Sequence, residues 1–164
     1  MKKSYNTYVS ILVLVLFISC SDSIIEPDPQ IVQVFFKYSF NNELNTFDKT
    51  YQKDLILDGT IKVSFWLTTE EQNQILNKAN ELNFFSFPNI FPNDTSNVLV
   101  SPNPGDQILR IKTDNYDHQT KWTLLIDMNN PKASNIKELS SLIISIIEAK
   151  PEYKKLPPSR GGYI

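Results

Sequence analysis

"YQKDLILDGTIKVSFWLTTEEQNQI", Tyr51 to Ile75, carries a strand pair and a helix start in one unbroken reach of chain. Asp58-Gly59 is a turn dipeptide between two apolar-rich runs, the arrangement that closes a β-hairpin. Because strand side chains alternate, the loop length decides which of them share a face. A two-residue loop would pair Leu57 with Thr60 and Leu55 with Lys62, mixing apolar and polar groups on both sides. A three-residue loop, Leu57-Asp58-Gly59 with Gly59 left-handed, gathers Tyr51, Leu55, Leu57, Ile61, Val63, Phe65 and Leu67 on one side, and it is the loop expected here. A helix should follow at once. Thr68 with Glu71 three residues on makes a capping box, and Glu70 adds negative charge to the first turn. Ile75, Leu76, Ala79 and Leu82 then recur at helical spacing, a core-facing stripe that Pro88 terminates.

Outward from this stretch the same two periods return. In "IVQVFFKYSF" (31–40), Val32, Val34, Phe36, Tyr38 and Phe40 alternate with more polar positions, as a strand with one buried face does. A polar loop connects it to the hairpin. "QILRIKT" (107–113) and "QTKWTLLID" (119–127) read as two more strands joined by the turn "DNYDH", with Leu109 and Ile111 on one face and Thr120, Trp122, Leu124 and Ile126 on the other strand's matching face. Asn130-Pro131 breaks the chain. A second helix is expected from about Lys132 to Ala149, its stripe formed by Ile136, Leu139, Leu142, Ile143, Ile146 and Ile147. The order βββ-α-ββ-α predicts a single α+β domain over 31–150, an antiparallel sheet of about five strands with two helices on one face. Residues 151–164, "PEYKKLPPSRGGYI", read as an extended tail.

The N-terminus is of another kind. Lys2 and Lys3 precede an apolar run from Val9 to Ile18, interrupted only by Ser10, which ends at Ser19 and Cys20. A membrane-spanning helix needs about 20 apolar residues, roughly twice what is present. Cys20 is the chain's single cysteine and so has no intramolecular disulfide partner. "FISC", Phe17 to Cys20, resembles the lipobox of bacterial lipoproteins, in which a small residue precedes a cysteine that is acylated and becomes the mature N-terminus; Phe17 stands where leucine is more usual. The resemblance implies a signal peptide over 1–19, lipidation at Cys20 and a place at the outer membrane, periplasmic or surface-exposed. Two or more acyl chains anchor stably without any protein helix. "CSDSIIEPDPQ" (20–30) reads as an acidic tether, since Pro27 and Pro29 disfavour helix and Asp22, Glu26 and Asp28 keep it solvated. In the remainder, "LTTEEQNQI" leading into "ELNFFSFP", with a closing "PEYKKLPP", resembles small lipoproteins of unknown function from Bacteroidota over most of 31–158. That resemblance transfers no catalytic residue.

Charge and motifs narrow the function classes. The formal charge of −2 becomes −4 once residues 1–19, with Lys2 and Lys3 and no acid, are removed. A mildly acidic chain without clustered Lys and Arg is not built for nucleic acid. The sequence has one histidine and four glycines, and no GxSxG, HExxH, CxxC or glycine-rich phosphate loop. Asp114, Asp117 and His118 crowd the "DNYDH" turn, but their spacing fits neither a zinc nor a calcium pattern, and a solvated turn accounts for them. No metal, no cofactor and no enzyme activity are therefore expected. The expected function is a non-catalytic binding or interaction module for an envelope protein or glycan; a structural accessory subunit of an envelope complex is the alternative, and a hydrolase the least supported. The expected contact surface is the long loop Pro88–Gly105 and its approach, with Phe87, Ile90, Phe91, Val98, Leu99 and Val100 as its apolar residues and Phe84 and Phe85 left in the core.

Overall fold

The computed structural model of the protein describes residues 31–93 and 101–164. The expected signal peptide, Cys20, the tether and Val98, Leu99 and Val100 lie outside the described residues.

The chain is an α+β domain. Six strands, β1 (Gln33–Tyr38), β2 (Asn42–Asn45), β3 (Thr50–Ile56), β4 (Gly59–Ser64), β5 (Gln107–Lys112) and β6 (Asp117–Trp122), form one sheet in the order β4-β3-β2-β1-β5-β6. Every pairing is antiparallel. The helices are α1 (Thr69–Glu81), α2 (Pro131–Ala149) and the single turn α3 (Pro151–Lys154), with a 3-10 turn at Phe84–Ser86. The strand that the sequence did not announce is β2. Its four residues, Asn-Glu-Leu-Asn, are too few to display a period, and Leu44 alone among them is buried.

Register lines up one row on the helix side of the sheet across all six strands, Val63, Tyr51, Leu44, Phe36, Leu109 and Thr120, buried throughout except at the half-buried Val63. On this row sit Ile75 and Ala79 of α1 and Ile136, Leu139, Ile143 and Ile147 of α2, all within one continuous core. The capping box forms as expected, with the Glu71 N–H donating to Thr68 Oγ1 at 3.2 Å and the Thr68 N–H donating to Glu71 Oε2 at 2.8 Å. Glu71 has a second task. It accepts Lys150 Nζ at 2.8 Å, the lysine side chain only 8% exposed, and so ties the start of α1 to the end of α2.

Three expectations need correction. The β3–β4 hairpin pairs Tyr51 with Val63 and Lys53 with Ile61, keeping the expected parity, but a bulge at Leu55 lets Ile56 pair with Gly59. Gly59 is left-handed as expected (φ +76°), whereas Leu57 is carried out into the turn, 74% exposed. The extra residue of the bulge shortens the loop to Leu57-Asp58 and re-aims Leu57. β1 and β6 both stop short: Ser39 turns with φ +55° and takes Phe40 out of the strand, and β6 ends at Trp122, leaving Leu124 51% exposed. Third, 151–164, expected as an extended tail, opens with the helical turn α3 and then packs against β3. Because β2 pairs with only Thr50–Gln52 of β3, the later part of β3 lacks a neighbour on that side. The chain after α3 comes back to fill it. Arg160 forms a parallel bridge with Ile56, its N–H donating to Leu55 O at 3.2 Å and its carbonyl accepting the Leu57 N–H at 3.3 Å.

Candidate functional site

Of the apolar residues expected to form a contact surface around the long loop, three are described, and two of these are core. Phe87 is 4% and Phe91 2% exposed. The physical reason is the outer edge of β6, whose backbone groups would otherwise be unpaired. The Phe91 N–H donates to Lys121 O at 2.8 Å, the Lys121 N–H donates to Asn89 O at 2.9 Å, and Thr120 Oγ1 donates to Pro88 O, so 88–93 runs along that edge and buries its aromatics beneath it. Ile90 remains exposed. Phe84 is fully buried as expected, but Phe85 is only half-buried and stacks on the exposed Tyr116 at 4.6 Å.

Asp114, Asp117 and His118 do not converge. Asp117 and His118 are consecutive residues of β6, and strand alternation sends them to opposite faces of the sheet. Asp117 takes Arg110 at two points, Nε at 2.8 Å and Nη2 at 2.7 Å. His118 points to the helix side, edge-on to Phe84 at 5.2 Å. Burial, reinforced by the nearby Lys132 ammonium, holds its imidazole below the usual histidine range despite a backbone hydrogen bond at Phe87 that acts the other way. Asp114 is exposed in the turn. Among the described residues no group of three His, Cys, Asp or Glu side chains is placed to hold a metal ion.

The sheet itself provides a second surface. Both long helices cover one face, and on the other the register builds a row across all six strands: Ser64, Thr50, Asn45, Phe35, Arg110 and Gln119. At its centre is a shallow hollow of about 380 Å³ lined by Phe35, Asn45, Phe47, Arg110 and Gln119. Phe47 enters from the β2–β3 turn. That turn is fixed by Asn45, whose side-chain Oδ1 accepts the Asp48 N–H at 3.2 Å and whose Nδ2 donates to Asp48 Oδ2 at 2.8 Å, and by Lys49 at φ +56°. The Phe47 ring then lies 5.0 Å from Arg110 Cζ, a cation–π contact. Arg110 is thus held on two sides, by the ring and by Asp117. The hydrogen-bonded partnership pushes the Arg110 guanidinium up and the Asp117 carboxyl down from their ordinary values.

The next row on this face, Lys62, Gln52, Glu43, Lys37, Ile108 and Lys121, is also largely self-compensated, with Lys62 3.9 Å from Glu43 and Lys121 3.1 Å from Asp106. One sequence signal for the site existed. In "QVFFKY", Phe35 is an aromatic residue on the polar phase of the alternation, where core packing gives it no role. No family model matches the chain, and no curated protein matches it.

Proposed function

We propose that the protein is a non-catalytic binding module of the cell envelope, anchored through acyl groups on Cys20 and making contact through the helix-free face of its sheet. The observation that carries the contact face is the hollow at its centre: two phenylalanine rings and a fixed Arg110–Asp117 pair stand on the side of the sheet that contributes nothing to the core. A site on central strands is positioned by the sheet ladders and needs no loop to order on binding. The anchoring part rests on the order of Lys2 and Lys3, apolar run, Ser19 and Cys20. No helix among the described residues is long and apolar enough to cross a membrane.

One experiment in the producing cells tests both parts. A diazirine amino acid is placed at Lys112, exposed on the open face beside the hollow, or at Asn77, on the exposed side of α1, and the cells are fed labelled palmitate. The labelled chain with Cys20 intact should give envelope adducts from position 112 and not from 77, and Cys20→Ala should take up no palmitate. Adducts from 77 alone would move the contact surface to the helices, and palmitate in Cys20→Ala would end the anchoring proposal.

A further inference from the structure

We infer that the hollow at Phe35, Phe47 and Arg110 takes an uncharged carbohydrate, with the pyranose ring as the recognised unit; this deepens, and rests on, the contact face proposed above. Charge decides first. The charge of the guanidinium in the hollow is already compensated by Asp117, bound at 2.8 and 2.7 Å, so a ligand carboxylate or phosphate that reached its remaining N–H groups would meet the Asp117 carboxylate beside them. The site is electrically closed and suits a neutral ligand.

Backbone pairing decides next. A peptide that adds itself to a sheet does so at an edge, where N–H and C=O groups are free. Phe35 and Arg110 lie on β1 and β5, which have a ladder on each side, so the hollow offers side chains only. Those side chains are of two kinds. Phe35 and Phe47 present apolar rings, while Asn45 and Gln119 present planar amides and Arg110 the N–H groups beyond the two that Asp117 engages. A pyranose has a matching division: an apolar face of C–H groups and a rim of hydroxyls that each donate and accept. A volume of about 380 Å³ falls within the range of roughly 300–1,000 Å³ typical of small-ligand sites. Openness on the solvent side implies weak binding to each sugar unit, so the natural ligand is a polymer or a surface that presents many.

The test uses the full lipidated chain in a zwitterionic detergent without a sugar headgroup. Isothermal titration is run with linear neutral hexasaccharides of glucose, mannose, xylose and N-acetylglucosamine, and with a galacturonic acid hexasaccharide. At least one neutral sugar should bind, with an affinity unchanged between low and high salt. Phe47→Ala and Gln119→Ala should each weaken it about tenfold or more without moving the melting temperature. Binding of none of the neutral sugars, or of the uronate alone with strong salt dependence, would overturn the carbohydrate inference. The crosslinking result separates the two levels. Protein adducts from position 112 with no sugar binding would leave the contact face standing and remove its carbohydrate ligand, whereas silence in both experiments would remove both.

Discussion

Tyr38 and Tyr51 meet inside the core with their hydroxyls 2.8 Å apart, one donating and the other accepting. Burial pushes Tyr38 up to about 12, against the opposing effect of its hydrogen bond with Tyr51, and burial together with Tyr38 itself pushes Tyr51 higher still. Both tyrosines are legible in the sequence as members of apolar faces. Their pairing is not, because it depends on β2 lying between β1 and β3 and ending near Asn42. Removing one hydroxyl strands the other, at a cost of about 1–3 kcal/mol, while removing both leaves no unsatisfied group. Tyr38→Phe and Tyr51→Phe should therefore each lower stability in urea unfolding, and the double variant should lose clearly less than the two losses added together. Strict additivity would mean that the two hydroxyls do not depend on each other.

The C-terminal strap shows how an element without a period of its own acquires structure. Arg160 grips Asp58 with a bidentate contact at 2.8 and 3.0 Å, Lys53 Nζ donates to Pro157 O at 2.8 Å, and the Tyr163 ring stacks on Phe40 at 3.7 Å. Asp54 is the hub, its carboxylate accepting from Tyr163 Oη, Asn41 Nδ2 and the Ile56 N–H, and its backbone carbonyl accepting from Ser159. These contacts also hold Ile56 at φ +66°, a conformation that a β-branched residue adopts only when its surroundings impose it. Deleting 157–164 is expected to lower the melting temperature on the order of 5–10 °C and to raise hydrogen exchange in 53–57 before the rest of the sheet. Gly161 is the strap's tight point: φ is +86°, and a Cβ there would fall 2.7 Å from Leu57 Cγ. Gly161→Ala should destabilise by about 1 kcal/mol or more. Leu57→Ala in the same chain should recover part of that loss, the steric part; no recovery would show that strap and turn do not touch in solution.

For the whole molecule, the titrating groups set a stability window whose ends can be stated. Tyr38 and Tyr51 have folded values raised above the ordinary 10.0, so their contribution is complete below about pH 10 and is lost as pH rises toward the folded values. His118 and Asp54 have folded values lowered from 6.5 and 3.8; for Asp54, burial acts upward but the hydrogen bonds from Tyr163, Ile56 and Asn41 outweigh it. Their contributions are present above those ordinary values and are lost as pH falls. The urea midpoint should thus be flat between about pH 6.5 and 10 and fall on both sides, and His118→Phe should carry the flat region toward acid. A midpoint that kept rising above pH 10 would contradict the buried tyrosine pair. What the sequence determined by itself is what local physics specifies. Period-two alternation marked β1, β5 and both strands of the hairpin, and the Thr68–Glu71 box and apolar stripes marked α1 and α2, because each depends on residues a few positions apart. Tertiary structure decided the rest. β2 is a strand because it has a neighbour on each side, Phe87 and Phe91 are core because the edge of β6 needed covering, and the strap is ordered because β2 is short. The Phe35–Phe47–Arg110 hollow belongs with these, since strand register alone brings together side chains from four strands and a turn that the sequence holds far apart.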